Sequence, residues 1–292
     1  MRIAGAPISW GVCEIPGWGV QLPPSRVLAE MAELGLVATE FGPEGFLPAE
    51  PAAKAAVLAA AGLAAVGGFV PVVLHEPGHD PLSEVDAVLD GFVAAGADTL
   101  VLAAATGSDD YDSRPELDDA GWKRLLANLD RLAELARSRG ITPTLHPHVG
   151  TMVERGDEVH RVLDGSDTPL CLDTGHLLIG GTDPALLAAQ AANRIAHVHL
   201  KDVDADRAAR VRSGEIGYRA AVADGMYRPL GAGDVDIAGI IATLSAAGYA
   251  GWYVLEQDLV LTTEPSGSTG PRDNVAASLA YLAGLPRHRL PS

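Results

Sequence analysis

The chain has 292 residues, is 48% hydrophobic and carries a formal net charge of −17. That length and apolar content support one large core, and barrels of this size are routinely one domain. The acidic balance excludes the basic face that a nucleic acid or an anionic membrane surface requires.

The N-terminal "MRIAGAPISWGV" has only a short apolar stretch. It lacks the long hydrophobic region and small-residue cleavage site of a signal peptide. Within it, "RIAGAPISW" (2–10) reads as a first strand. An Ala/Leu-rich helical stretch follows, and the alternation then repeats along the chain. The later strands are "VATEFG" (37–42), "AAVGGFVPVVL" (64–74), "TLVLAAA" (99–105), "ITPTLHPH" (141–148), "PLCLDTG" (169–175), "IAHVHLKD" (195–202) and "WYVLEQD" (252–258). Between them lie helical patterns such as "PAAKAAVLAAAG" and "SEVDAVLDGFVAAG", several ending in the glycine that stops a helix. Near-continuous apolar strands alternating with helices imply a parallel sheet covered on both faces. Eight such units predict an α/β protein with a single-domain (β/α)8 TIM barrel over 1–292; a doubly wound open sheet is the alternative. Residues 203–235 are too long for a plain connection and read as a lid-like insertion. The tail after about 262 is Ser/Gly/Pro-rich and leads into a last helix. No apolar run reaches the length of a membrane span. Cys13 and Cys171 are the only cysteines, and two distant thiols build no disulfide framework. A cytoplasmic protein is expected.

In a barrel the C-terminal strand ends face the catalytic mouth. Those ends carry Trp10, Glu40, His146 and His148, Asp173 with His176 just beyond, His197, His199, Lys201 and Asp202, and finally Glu256, Gln257 and Asp258. Alternation sends His146 and His148 to one face of their strand. Imidazoles and carboxylates from four neighbouring strands suit a divalent cation such as Mn2+, Co2+, Fe2+ or Zn2+, with Mg2+ also possible. The expected ligands are His146, Asp173, His199 and Glu256, one from each of strands five to eight. His148 would stand one layer further out, where a substrate sits; His197 would lie deeper, in the core or supporting a ligand. Each piece has a plainer reading. The paired histidines can be hydrogen-bonded core groups, Asp173 a turn cap, and Trp10 and Trp18 core side chains rather than a wall for a sugar ring. A carboxylate ending a buried strand, as Glu256 does, is seldom buried without a partner.

The stretches "APISWG", "ATEFGPEGFLP", "LHPHVGT", "LDTGH", "HVHLKD", "PLGAGDVD" and "YVLEQD" resemble the xylose-isomerase-like barrels of the sugar phosphate isomerases and epimerases, from residue 1 to about 262. Within that group the chain looks most like the inosose dehydratases. The resemblance implies metal ligands in the order Glu, Asp, His, Glu from strands five to eight. The last three match Asp173, His199 and Glu256, whereas His146 stands where the first carboxylate belongs. It also implies that His176 contacts substrate and that Lys201 lies near its oxygens.

An epimerase of this kind uses two opposed carboxylates, so the exchange for His146 favours a one-sided reaction. The expected function is a metal-dependent lyase dehydrating a cyclic keto-polyol such as 2-keto-myo-inositol through a metal-stabilised enediolate. Glu256 would be the base, His176 or His148 the proton donor, and Lys201 the group that holds an oxygen. Trp10 and Glu40 would line the substrate pocket. Mn2+ or Co2+ is the expected cofactor, and a homodimer or larger homo-oligomer the expected assembly. The alternative is a ketose or keto-inositol isomerase or epimerase on the same metal. A nuclease-like phosphodiesterase lacks its electrostatic footprint here; a sugar-binding barrel without activity is the remaining reading.

Overall fold

The computed structural model describes residues 1–108, 110–265 and 270–286. The tail positions 266–269 and 287–292 lie outside the described residues. Among the described residues, nine parallel segments form one sheet in the order 64–65, 38–39, 2–5, 252–255, 195–200, 170–173, 142–145, 99–105 and 67–73. The first and last are halves of one strand, split only at Val66, so the sheet closes on itself as an eight-stave barrel. Gly67 explains the split: a Cβ there would strike the carbonyl oxygen of Thr99 on the next stave, so only glycine lets the two backbones approach.

Local chemistry sets the helices around the barrel. Pro51 begins the helix Pro51–Ala60, and Glu50 accepts from the amides of Ala52 and Ala53. Asp118, Asp183, Asp204 and Asp236 cap four others in the same way; each satisfies amides that a helix start leaves open. The main core lies between staves and helices and includes Val27, Leu89, Leu125, Leu129, Leu172 and Ile240. Inside the barrel, Ala4, Ala38, Val66 and Val254 form a separate cluster of small side chains, leaving room for large polar groups above. No described helix is long and apolar enough to cross a membrane.

Thr99–Ala105 keeps its predicted bounds, but most staves are shorter than the sequence predicts, and several stop where a polar side chain or proline takes over. The first ends at Gly5, because Pro7–Trp10 is a 3-10 turn. The fifth ends at Leu145, so His146 and His148 follow the strand instead of alternating along it. The sixth ends at Asp173, whose side chain caps a six-residue helix, Thr174–Ile179. The 203–235 insertion is built rather than open. It holds the helices Ala205–Arg212 and Tyr218–Ala223, and Tyr227–Arg228 pairs antiparallel with Asp202–Val203. Asp202 ties its glycine-rich end down, accepting from the amides of Val203, Gly231, Gly233 and Val235.

Candidate active site

A cavity of about 600 Å3 opens at the C-terminal end of the barrel. Its walls include His146, His148, His199, Lys201, Glu256 and Asp258. Asp173 sits beneath, fully buried. Its Oδ1 accepts from the amides of Gly175 at 2.9 Å and His176 at 2.8 Å. That cap fixes the carboxylate plane and leaves Oδ2 facing inward, 3.1 Å from His146 Nε2 and 3.6 Å from both His199 Nδ1 and Lys201 Nζ. Glu256 Oε2 closes the group, 3.1 Å from His199 Nδ1 and 3.1 Å from Lys201 Nζ.

His199 is oriented from behind. Its Nε2 lies 3.0 Å from Glu40 Oε1, which also meets His197 Nε2 at 2.8 Å. A carboxylate on Nε2 favours the proton there and turns the lone pair of Nδ1 toward Asp173 and Glu256. Nδ1 has no hydrogen-bond partner of good geometry. Donor atoms of Asp173, His199 and Glu256 lie within 4.8 Å of one another. Two carboxylate oxygens and one unpartnered imidazole nitrogen are a fitting donor set for a divalent first-row cation.

The electrostatics point the same way. Burial alone would raise the Asp173 and Glu256 carboxyls. The Lys201 and His199 charges outweigh it: Lys201 leads for Asp173, His199 for Glu256, and both carboxyls lie below their ordinary values. Burial would likewise lower His199 and Lys201, yet Cys171, Glu256 and Glu40 raise His199 well above its ordinary value, and Asp173, Asp258 and Glu256 do the same for Lys201. A cluster that draws protons onto its own imidazole and amine is a cluster with surplus negative charge. A bound cation would take the proton's place on His199.

Lys201 is the hub of the remaining contacts. Its Nζ lies 2.7 Å from Asp258 Oδ1 and 3.0 Å from His176 Nε2. The His176 ring lies against that of His148, tilted by 35° with ring centres 3.7 Å apart. Burial holds both histidines well below their ordinary pKa, reinforced by the charges of His146 and Lys201 at His148 and of His148 and Lys201 at His176. Both are therefore neutral at pH 7. The Val149 carbonyl accepts from His148 Nδ1 at 2.7 Å, leaving Nε2 with the lone pair.

The structure thus brings His146, His148, Asp173, His176, His199, Lys201 and Glu256 together. His146 bonds to Asp173 at the edge of the donor trio. Glu40 reaches the cavity wall, but its hydrogen bonds go to the two imidazoles. Trp10 requires correction. It is fully buried in the main core, its indole N–H donates to Glu30 Oε2 at 2.7 Å, and it does not line the cavity. The 3-10 turn that ends the first stave carries it away. Trp18 lines the cavity instead, beside Tyr111 and Tyr218. Asp258 and the tyrosines of the insertion went unassigned from sequence. The sequence placed Asp258 at the mouth, two residues beyond Glu256, without giving it a role; nothing in the pattern of 203–235 marks Tyr218 or Tyr227.

Known proteins share both sequence and fold. An inosose dehydratase of Geobacillus kaustophilus is 34% identical over 88% of this chain and 87% of its own length. The rhizopine catabolism protein MocC of Rhizobium meliloti is 34% identical over 88% of this chain and 82% of its own. Among solved structures, the IOLI protein with a bound zinc atom superposes with a TM-score of 0.71 at 12% identity, covering 97% of each chain. Residues 27–283 match the xylose isomerase-like TIM barrel family, and the chain belongs to it.

Proposed function

We propose that the protein is a divalent-metal-dependent lyase that removes water from a cyclic keto-polyol, with 2-keto-myo-inositol as the first candidate. The observation that carries this reading is the trio of Asp173 Oδ2, His199 Nδ1 and Glu256 Oε2, with His199 held from behind by Glu40. Its relation to proteins named inosose dehydratase supports the substrate class. The trio would hold Mn2+ or Co2+, supplying Lewis-acid polarisation of the substrate carbonyl so that its α-proton becomes acidic.

The chain's own groups do the rest. Glu256 takes the α-proton through the oxygen turned away from His199. The electron pair of that C–H bond becomes the new C=C bond as the C–O bond to the β-hydroxyl breaks. That hydroxyl leaves as water, its proton supplied by the Lys201–His176 pair. The neutral state of His148 and His176 assigns the stored proton to Lys201, with His176 relaying it and His148 accepting from a substrate hydroxyl. His146, in place of a second carboxylate, leaves the other face of the carbon without an equivalent base. In this reading the 203–235 insertion is the lid, which excludes water while the carbanion-like charge develops.

The test is direct. Purified protein with Mn2+ or Co2+ and 2-keto-myo-inositol should develop enone-type ultraviolet absorbance, and Glu256→Gln should abolish it. Absence of signal with every divalent ion removes this substrate. Deuterium uptake from solvent without water loss would instead establish the isomerase or epimerase reading.

A further inference from the structure

The barrel holds more donor atoms than the Asp173–His199–Glu256 trio uses. Cys171 stands two residues before Asp173 on the sixth stave. Alternation turns the two side chains the same way, with the thiol one layer deeper. The cross-strand register agrees: Cys171 is paired with His197, and Asp173 with His199. The Cys171 sulfur and one nitrogen each of His146 and His199 lie within 4.8 Å of one another. All three residues are buried, none more than 1% exposed.

Two of these groups have unspent donors. His146 uses Nε2 on Asp173 Oδ2, and its Nδ1 has no hydrogen-bond partner. His199 uses Nε2 on Glu40, and its Nδ1, 3.1 Å from Glu256 Oε2, makes no hydrogen bond of good geometry. A buried polar atom left unpaired calls for an explanation, an ion among them. His146 and His199 also line the cavity, so an ion arriving through the mouth meets both imidazoles before the thiol.

The geometry points to a second cation site made by Cys171, His146 and His199, softer than the carboxylate trio and exclusive of it. Exclusivity follows from His199. With Nε2 committed to Glu40, Nδ1 is its one nitrogen available to an ion, and both donor sets need it. Softness follows from the ligands, since one thiolate and two imidazoles select Zn2+ or Cd2+ over Mn2+ or Mg2+, which prefer carboxylate oxygen. Binding breaks the S–H bond of Cys171, forms a sulfur–metal bond and passes the proton to water, with no change of oxidation state. The protein thereby sorts ions by depth. Hard ions stay at the mouth, and thiophilic ions sink one layer and vacate it. This inference rests on the donor geometry and needs no substrate to test.

Metal-stripped full-length protein, kept reduced, is titrated with Cd2+. One equivalent should bring up a thiolate-to-cadmium charge-transfer band in the ultraviolet. Cys171→Ser should lose the band and weaken Cd2+ binding roughly tenfold or more, whereas Cys13→Ser should keep both. In protein first loaded with Mn2+, added Cd2+ should release it, read as the paramagnetic resonance of free Mn2+. X-ray absorption of the wild-type zinc form should show one sulfur at about 2.3 Å and needs no variant. A zinc shell of nitrogen and oxygen alone, a band that survives Cys171→Ser, or Cd2+ binding beside retained Mn2+ would each overturn the proposal.

Discussion

Glu40 Oε1 meets two imidazoles at once, His197 at 2.8 Å and His199 at 3.0 Å. Burial would raise this carboxyl, but the His199 charge and the two hydrogen bonds hold it below its ordinary value. It therefore stays ionised across the neutral range and fixes which nitrogen of His199 faces the donor trio. Glu40→Gln keeps the size but offers an amide that can donate as well as accept, so the His199 proton is no longer pinned to Nε2. Loss of such a supporting carboxylate costs about 10–100-fold in metal affinity. Calorimetric titration with Mn2+ should show a drop of that order, and unchanged affinity would remove Glu40 from the metal's support. Sequence position alone placed Glu40 at the mouth; it could not say that the carboxylate turns toward His197 and His199. That orientation depends on register between staves far apart in sequence, which a single strand's pattern does not contain. Trp10 fails for a related reason. A residue at the expected end of a strand was read as facing the mouth, whereas Pro7 ends the strand early and the indole turns to Glu30.

At the scale of elements, the alternating plan of strand and helix was legible throughout, because apolar periodicity and terminal glycines act locally. The polar strand ends that meet at the mouth were legible too, since a carboxylate or imidazole closing an apolar run stands out. The insertion was legible only as a break in rhythm. Its contacts are long-range: Tyr218 donates through its hydroxyl to Asp258 Oδ2 at 2.7 Å and through its amide to Asp112 Oδ1 at 2.6 Å. Arg219 donates to the carbonyls of Gly17 and Trp18. Asp258 then passes the connection to Lys201 at 2.7 Å, so the position of the insertion bears directly on the amine. Tyr218→Phe removes two buried hydrogen bonds of that hydroxyl, to Asp258 and to the Tyr227 hydroxyl, a change of about 1 kcal/mol each, and loosens Lys201 without touching the donor trio. Hydrogen exchange should rise in residues 214–223, turnover should fall by roughly tenfold, and Mn2+ affinity should stay as it was. A parallel loss of Mn2+ affinity would show that the insertion supports the metal rather than the amine.

For the whole molecule, a cation held as proposed by the sixth, seventh and eighth staves would be a cross-link that the unfolded chain lacks. Three carboxylates, Asp173, Glu256 and Asp258, crowd around Lys201 and His199 at the mouth of a chain whose net charge is −17. Folding must bring these like charges together, and a divalent ion offsets their repulsion only in the native state. At one hundred times its dissociation constant, such a ligand adds about 2.7 kcal/mol of stability. For a domain of this size that corresponds to a rise in Tm of roughly 4–5 °C. Thermal unfolding with and without Mn2+ should show the shift, chelation should reverse it, and Glu256→Gln should remove most of it. The proton count supplies an independent check. His199 is raised above its ordinary pKa in the metal-free protein, so it holds a proton at pH values below that raised pKa and must release it to the solvent as the ion binds. Affinity should therefore fall as pH falls, and the heat of Mn2+ binding should vary with the ionisation enthalpy of the buffer. A binding heat independent of the buffer would mean that the ion does not displace the His199 proton, and the trio would lose its central ligand.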